Sequence, residues 1–465
     1  MPGKRSSARR SSRAKKTGKK RRSTRAAQAQ QSRKTASNSF LISDVSARQV
    51  LDSRGNPTVE SDVFTKSGEF GRGTVPSGAS TGVHEALELR DTGSKAYGGM
   101  GVQTAVSNIT NIIRPKVLGI DCRQQDKIDS LMIELDGTPN KARLGANAIL
   151  AVSMASARAA SASEKKQLFE YLAQKSKYRL PVPMMNVING GKHAGNNLSV
   201  QEFLIEPVGA GAFPDALRIG VEVYHALKSV LKNRYGPSAI NVGDEGGYAP
   251  PLDTTPSALD AILEATKKAG YDEGVIRLGL DSASSNFFNA EEGTYQIDGK
   301  KKSAGELLDF YTDLVSTYPI LSLEDPFAED SFEDSARITS KLGSRVKIIG
   351  DDLYVTNPSR IQRGIEMKAT NAILIKLNQI GSVSETLRAI EVSKKAGFSI
   401  AVSHRSGETE DTFISHLATA VESEFIKTGA PARGERTAKY NELLRIAEIL
   451  AERAGFAGSD LLDSA

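Results

Sequence analysis

A chain of 465 residues, 39% hydrophobic and 25% charged, is long enough for two or three domains around a large core and has an ordinary globular composition. A single cysteine, Cys122, excludes an internal disulfide framework. No apolar run reaches the about 18 residues of a membrane span, because Arg158 interrupts the stretch from Ala146 to Ala162. The formal charge of +6 joins two unlike pieces: 14 of the 61 Lys and Arg lie within the first 34 residues, which hold no acid, so 47 bases face 55 acids in the remainder.

Apart from Met1, Pro2, Gly3, Gly18 and Asn38, residues 1–39 are Ser, Ala, Thr, Gln, Lys and Arg with little to bury, and a disordered tail is expected. Three accounts of it stand open. Residues 1–34 could contact nucleic acid or another polyanion. A cleaved transit peptide fits the Arg, Ser and Ala content but not the many lysines. The third account is a solvated extension without function.

Ordered sequence is expected from Phe40, in a small α+β domain over residues 40–176. The segment Leu41–Asp52 starts to carry apolar residues, and Val59–Val63 and Phe70–Val75 read as short strands around a Ser67-Gly68 turn. The loop Pro76-Ser77-Gly78-Ala79-Ser80-Thr81-Gly82 is small and hydroxyl-rich, suited to closing over a ligand but equally common as a plain turn. A helical segment is expected at Glu85–Arg90, and helices over Val102–Ile113 and Ala146–Ser161. The pattern lapses at Lys175–Leu180, and a second domain over residues 177–465 takes up from Pro181.

Two glycine-bearing loops follow, Asn189–Asn197 with His193 and Asn241–Gly247 with Asp244-Glu245, separated by a helix with Leu217, Val221, Tyr224 and Leu231 on one face. Each loop reads as a ligand contact or as a structural turn. Farther on, Ser303 with Glu306 and Ser382 with Glu385 have capping-box spacing, Asn357-Pro358 marks a helix start, and Glu291–Lys302 reads as a hairpin.

The second domain carries a beat of apolar strands that end on charge. Ile276–Leu280 stops at Asp281, Ile320–Leu323 at Glu324, Val346–Gly350 at Asp351, Ala372–Ile375 at Lys376 and Phe398–Val402 at Ser403-His404-Arg405-Ser406. Gaps of 27, 25 and 28 positions separate Glu324, Asp351, Lys376 and His404, each with room for a helix, which is the spacing of repeated βα units. In a parallel βα barrel these ends share one rim. Three carboxylates there suit Mg²⁺ or an ion-pair network with Lys376; that lysine either reaches solvent along its stem or is a buried cation with a partner. Beside a metal it would be driven toward the neutral form, a competent base for a proton next to a metal-bound carboxylate. Arg405 and Ser406 would suit a phosphate.

Six segments in order resemble the enolase family: the Pro76–Gly82 loop, Gly243–Gly247, Leu323–Phe327, Gly350–Leu353, Lys376–Gly381 and Ser403–Asp411. The resemblance runs from about Phe40 to Leu450. It implies an α/β fold, a C-terminal enolase-type (β/α)8 barrel of ββαα(βα)6 order preceded by a smaller α+β domain. It also implies a lyase, phosphopyruvate hydratase, acting in glycolysis and gluconeogenesis by reversible Mg²⁺-dependent dehydration of 2-phosphoglycerate to phosphoenolpyruvate. On the matching positions, Lys376 would take the C2 proton and Glu245 assist departure of the C3 hydroxyl. Asp281, Glu324 and Asp351 would hold a first Mg²⁺, and Ser80 would reach a second that arrives with substrate. His193, Gln201, Glu202, Glu324, Asp351, Lys376, His404, Arg405, Ser406 and Lys427 would contact substrate. The resemblance further implies a cytoplasmic homodimer or homo-octamer. Asn286, where relatives often carry Glu, and the basic tail depart from the pattern. The competing reading is a nucleic-acid-binding protein that uses an inactive enolase body as a platform.

Overall fold

The computed structural model describes residues 39–78 and 82–463. The expected tail therefore lies outside the described residues up to Asn38, as does Ser80 of the hydroxyl-rich loop. Strands β1 (Ile42–Leu51), β2 (Pro57–Thr65) and β3 (Phe70–Thr74) form an antiparallel sheet in that order, β2 and β3 close to the sequence expectation and β1 added from the apolar segment ahead of them. The alanine-rich helix Ala146–Ser163 lies on β2 and β3 and is buried over almost its whole circumference. Gly71 and Gly73 make this approach possible. A Cβ on Gly71 would stand 2.2 Å from the Ala155 carbonyl oxygen, and one on Gly73 2.6 Å from that of Ala151.

Two local expectations in this region need correction. Glu85–Arg90 has no regular secondary structure and is not helical, because its amides bond to other segments: Ala86 N–H to the Gln379 carbonyl and Leu87 N–H to that of Asn140, both at 2.8 Å. The helix expected over Val102–Ile113 runs on to Val117, with a π turn at Ile109–Ile113 just ahead of Pro115. Proline lacks the N–H and its ring crowds the carbonyl one turn back, so the widened turn relieves that crowding.

The short strand β4 (Tyr178–Leu180), in the segment where the sequence pattern lapses, pairs in parallel with β16 (Ala454–Phe456) near the other end of the chain. The next element begins the barrel. Its strands are β5 (Val182–Asn189), β6 (Glu202–Glu206), β7 (Arg277–Asp281), β11 (Ile320–Glu324), β12 (Lys347–Gly350), β13 (Ala372–Ile375), β14 (Ser399–Ser403) and β15 (Phe425–Lys427), closed by pairing of β15 with β5. The all-parallel rim suggested by strand spacing fails at one place: β6 runs antiparallel to both β5 and β7, as the ββαα order implies. Between β7 and β11, strands β8 (Phe288–Asn289), β9 (Thr294–Ile297) and β10 (Lys300–Lys302) form the expected excursion, with Asp298 and Gly299 both at positive φ in a two-residue turn. Ser303 and Glu306 form a full capping box, and the Asn357 side chain caps its helix at Ser359 N–H. On helix Phe213–Tyr235 the buried face is Ala216, Ile219, Val223, Tyr224, Leu227 and Leu231; Leu217 and Val221 lie at its edge.

Side chains including Leu204, Leu321, Ile349, Leu374 and Phe425 fill the lower barrel, so chemistry is confined to the other rim. One acid sits among them. Glu206 is fully buried, accepts a bond from Ser322 Oγ–H, and has no partner for Oε2. Burial pushes its carboxyl up to about 8 despite that bond. A glutamate in the unfolded chain titrates near ~4.3. The stability tied to protonated Glu206 is therefore complete below that value and lost as pH rises through about 8. Melting temperature followed from pH 5 to 9 should fall less steeply for Glu206→Gln than for the wild type, leaving the variant about 1–3 kcal/mol better placed, relative to wild type, at the alkaline end. Parallel profiles would contradict the assignment.

Candidate active site

The charged strand ends meet as the sequence predicts. Asp281, Glu324 and Lys427 are the last residues of β7, β11 and β15, while Asp351, Lys376 and His404 directly follow β12, β13 and β14. Glu202 joins them for the opposite reason. It is the first residue of the antiparallel β6, paired with Asp281 and with Asn189, so the start of that strand lies at the rim where the others end. Among the described residues, every expected site residue except Glu324 lines one small pocket at this rim; Glu324 is fully buried, bonded to Lys427.

One wall is built from ion pairs. Lys427 Nζ donates to Asp281 Oδ2 and Glu324 Oε2, both at 2.8 Å, and faces Glu202 Oε2 at 3.3 Å. Burial disfavours its charge, but the three carboxylates outweigh burial and hold the ammonium well above its usual range. Lys376 Nζ donates to Asp351 Oδ2, and Gln379 Nε2 to Oδ1 of the same carboxylate at 2.9 Å. The neutral Lys376 expected beside a metal is not the form that Asp351 alone favours. Burial pulls its proton affinity down, and Asp351 more than restores it.

The facing wall holds His193, Glu202, Glu245 and His404, all buried. His193 Nδ1 lies 3.6 Å from Glu202 Oε1 and 3.8 Å from Glu245 Oε1, and Asn186 Nδ2 donates to Glu245 Oε2 at 3.1 Å. The glycines of these two loops serve the contact of one loop with the other: a Cβ on Gly243 would stand 2.4 Å from the His193 carbonyl oxygen. Burial pushes His404 down to about 3 against the pull of Glu245, and burial also lowers His193. The two glutamates diverge. Burial, reinforced by Glu245, raises Glu202 well above the carboxylate range; in Glu245 burial is outweighed by His404 and His193, and the carboxyl is held low.

Arg405 closes a third side. Its Nη1 and Nη2 donate to Glu85 Oε2 and Oε1 at 2.9 and 3.1 Å, and Nη1 also donates to Asn378 Oδ1 at 2.8 Å. Ser406 Oγ lies 3.1 Å from His193 Nε2. Ser77 and Gly407 bond to each other through their backbones, which fixes the entry to the hydroxyl-rich loop against this corner. Gln201 Nε2 reaches Asp281 Oδ2 at 3.5 Å, and Asn286 Nδ2 donates to Gln201 Oε1 at 3.2 Å.

Among the described residues, two triplets bring ligand atoms within 4.8 Å of one another: His193, Glu202 and Glu245, and Asp325, Asp351 and Asp352. The expected set Asp281, Glu324 and Asp351 is not one of them, because Lys427 bridges the first two while Lys376 and Gln379 hold the third. That set still fits a cation. Glu324 Oε1 is buried with no hydrogen-bond partner, and burial together with Asp281 pushes its carboxyl up to about 8. An unpartnered buried carboxylate oxygen, with two more acids on adjacent strand ends, matches the oxygen-rich donor chemistry that Mg²⁺ takes.

Sequence reasoning missed several members. Asp325, at φ 40°, accepts the Asp351 and Asp352 amides at 3.0 and 2.7 Å and shapes the turn after β12. Asn186, Gln379 and Glu85 stand beside residues already singled out, and that adjacency was the available clue. Arg436 and Lys439 gave no such clue. Basic residues three apart on helix Gly434–Leu450 read as a solvated face, yet both are fully buried.

Comparison with known proteins places this geometry. Residues 42–172 match the family described as Enolase, N-terminal domain, and residues 177–465 that described as Enolase, C-terminal TIM barrel domain. A protein named Enolase from Methanocaldococcus jannaschii is 58% identical over 411 residues, 88% of this chain and 96% of that protein. Enolases from Methanococcoides burtonii and Pyrococcus furiosus are 57% and 55% identical over 417 and 422 residues, each covering 90% of this chain and 97% and 98% of their own.

Proposed function

The chain belongs to the enolase family and is a phosphopyruvate hydratase, a lyase, and on that premise we propose which of its residues carry the dehydration of 2-phosphoglycerate to phosphoenolpyruvate. The observation that supports the assignment best is that one pocket is lined by both groups in separate clusters, Lys376 paired with Asp351 and Glu245 beside the His193 and His404 imidazoles. Lys376 Nζ takes the proton from C2. Glu245 gives a proton to the C3 hydroxyl as the C–O bond breaks and water leaves. Arg405 and Ser406 take the phosphate, while His193, Gln201, Glu202, His404 and Lys427 line the remainder of the substrate site, with residues 40–176 as the capping domain.

Each role demands a protonation state. Lys376 must shed a proton that Asp351 now stabilises, and Arg405 and Lys427 are the neighbouring cations that work in that direction. Glu245 must carry one, and Glu202, whose carboxyl favours the protonated form, keeps a proton within 4.8 Å. The family is magnesium-dependent. Asp281, Glu324 and Asp351 would hold the first ion and Ser80 would reach the second, bound with substrate; the chemistry they supply when bound is stabilisation of the negative charge that gathers on the substrate carboxylate.

No helix of the described residues is long and apolar enough to cross a membrane. We infer a cytoplasmic homo-oligomer, a dimer or an octamer. Nothing favours the inactive-platform alternative, since the base, the acid and the carboxylate strand ends are all present. The basic residues 1–34 would instead add a polyanion contact to a working enzyme. Ser39 accepts a bond from Ser67 N–H at the β2–β3 turn, whereas the far end of β1 leads to Ser53, against Ser406 and Glu408. Ten residues of strand, about 30 Å, separate that exit from the site.

Two outcomes are expected. Ultraviolet-monitored turnover of 2-phosphoglycerate should require Mg²⁺, stop on chelation, and fall by at least about 10³-fold in Lys376→Ala; a variant within tenfold of wild type would remove Lys376 from the role of base. A chain starting at Phe40 should keep full turnover but lose retention on duplex DNA, which for the intact chain should weaken steeply between about 50 and 200 mM salt. Equal retention of both chains would eliminate the polyanion contact.

A further inference from the structure

We propose that Arg436 is a positioning residue for the acid side of the reaction, acting on Glu245 through His404. Its guanidinium is fully buried. Nη1 donates to His404 Nδ1 at 2.7 Å and to the Arg405 carbonyl at 2.6 Å, and Nη2 to the carbonyls of Ser406 at 2.6 Å and Asp244 at 3.1 Å. A guanidinium has only donors. The His404 nitrogen it touches is therefore the acceptor, so the imidazole carries its proton on Nε2, which lies 3.3 Å from Glu245 Oε2 but is not aligned for a hydrogen bond to it. Arg436 thus selects the tautomer that keeps the N–H on the side of the ring nearest Glu245, where a small rotation would complete the bond, and its charge opposes a second proton on His404, alongside burial and Lys427.

The pairing of this arginine sets it apart from other buried bases. Arg405 has a carboxylate at 2.9 Å, Lys427 has two at 2.8 Å, and Lys439, one turn along the same helix, holds Glu408 at 2.7 Å. The carboxylate nearest Arg436 is Glu435, 3.5 Å from Nε, and Nε makes no hydrogen bond. A buried guanidinium held chiefly by carbonyls and an imidazole is an expensive way to brace a loop, and Lys439 already braces this one through Glu408 and the Thr409 carbonyl. What Arg436 alone reaches is His404 together with the Asp244 carbonyl next to Glu245, and that contact ties the acid to the phosphate corner.

The proposal rests on Glu245 being the acid, and a double-mutant cycle separates the two claims. Steady-state kcat and KM for 2-phosphoglycerate, with saturating Mg²⁺, are measured for Arg436→Gln, His404→Asn, the double variant and Glu245→Gln, with folding checked by thermal melting. If Arg436→Gln does not fold, Arg436→Lys takes its place in the cycle. Both single variants should lose about 10²-fold in kcat, and the double variant should fall within about threefold of His404→Asn, because a residue that acts through His404 has nothing left to act on. Multiplied losses in the double variant, or a raised KM with unchanged kcat in the Arg436 variant, would overturn the proposal and leave the arginine a structural brace. Unchanged kcat in Glu245→Gln would instead overturn the assignment of the acid on which it rests.

Discussion

The ammonium of Lys427, bonded to Asp281 and Glu324 and facing Glu202, is the contact on which the active rim depends. Three acids on adjacent strands of a closed barrel could not share one buried corner without a cation among them. The strand that carries Lys427 closes the barrel against β5, so the residue that neutralises the acids also lies at the seam of the fold. Lys376 repeats the device with Asp351. Each lysine is thus bound to a carboxylate assigned to the first cation, and a cation arriving at those acids acts on the protonation of both.

The remaining architecture serves to bring a second set of groups to face that wall. Reversal of β6 brings Glu202 to the same rim from the start of its strand. The close approach at Gly243 brings His193 and Glu245 together from loops that lie some fifty residues apart in the chain. The N-terminal sheet, fixed on its helix by Gly71 and Gly73, delivers Ser77 to Gly407, and the irregular segment beyond the loop delivers Glu85 to Arg405. Arg158 and Asp411 lock the two parts of the chain beside this junction. A site made of both parts follows from packing that is mostly alanine and glycine backbone.

Much of this was legible in the sequence, for identifiable reasons. Apolar strands ending on Asp281, Glu324, Asp351 and Lys376 at steady spacing predict a barrel and its rim because strand period and rim position are local properties. Capping at Ser303 and Asn357 was legible for the same reason. Glu85–Arg90 was not: its helical composition is overridden by backbone partners at Asn140 and Gln379, far away in the chain. Arg436 and Lys439 illustrate the deeper limit, since a basic residue on a helix is assigned to solvent unless its buried partners are known. The bridging position of Lys427 among three acids, and hence the dispersal of the expected metal trio, likewise depends on contacts more than one hundred residues apart.

The central claim is a division of labour between Lys376, which removes the C2 proton, and Glu245, which assists departure of the C3 hydroxyl. Exchange of the C2 proton of 2-phosphoglycerate with deuterated solvent, followed by NMR in the presence of Mg²⁺, separates the two steps directly. Glu245→Gln should incorporate deuterium at C2 while forming little phosphoenolpyruvate, and Lys376→Ala should do neither. Deuterium incorporation by Lys376→Ala would contradict the account.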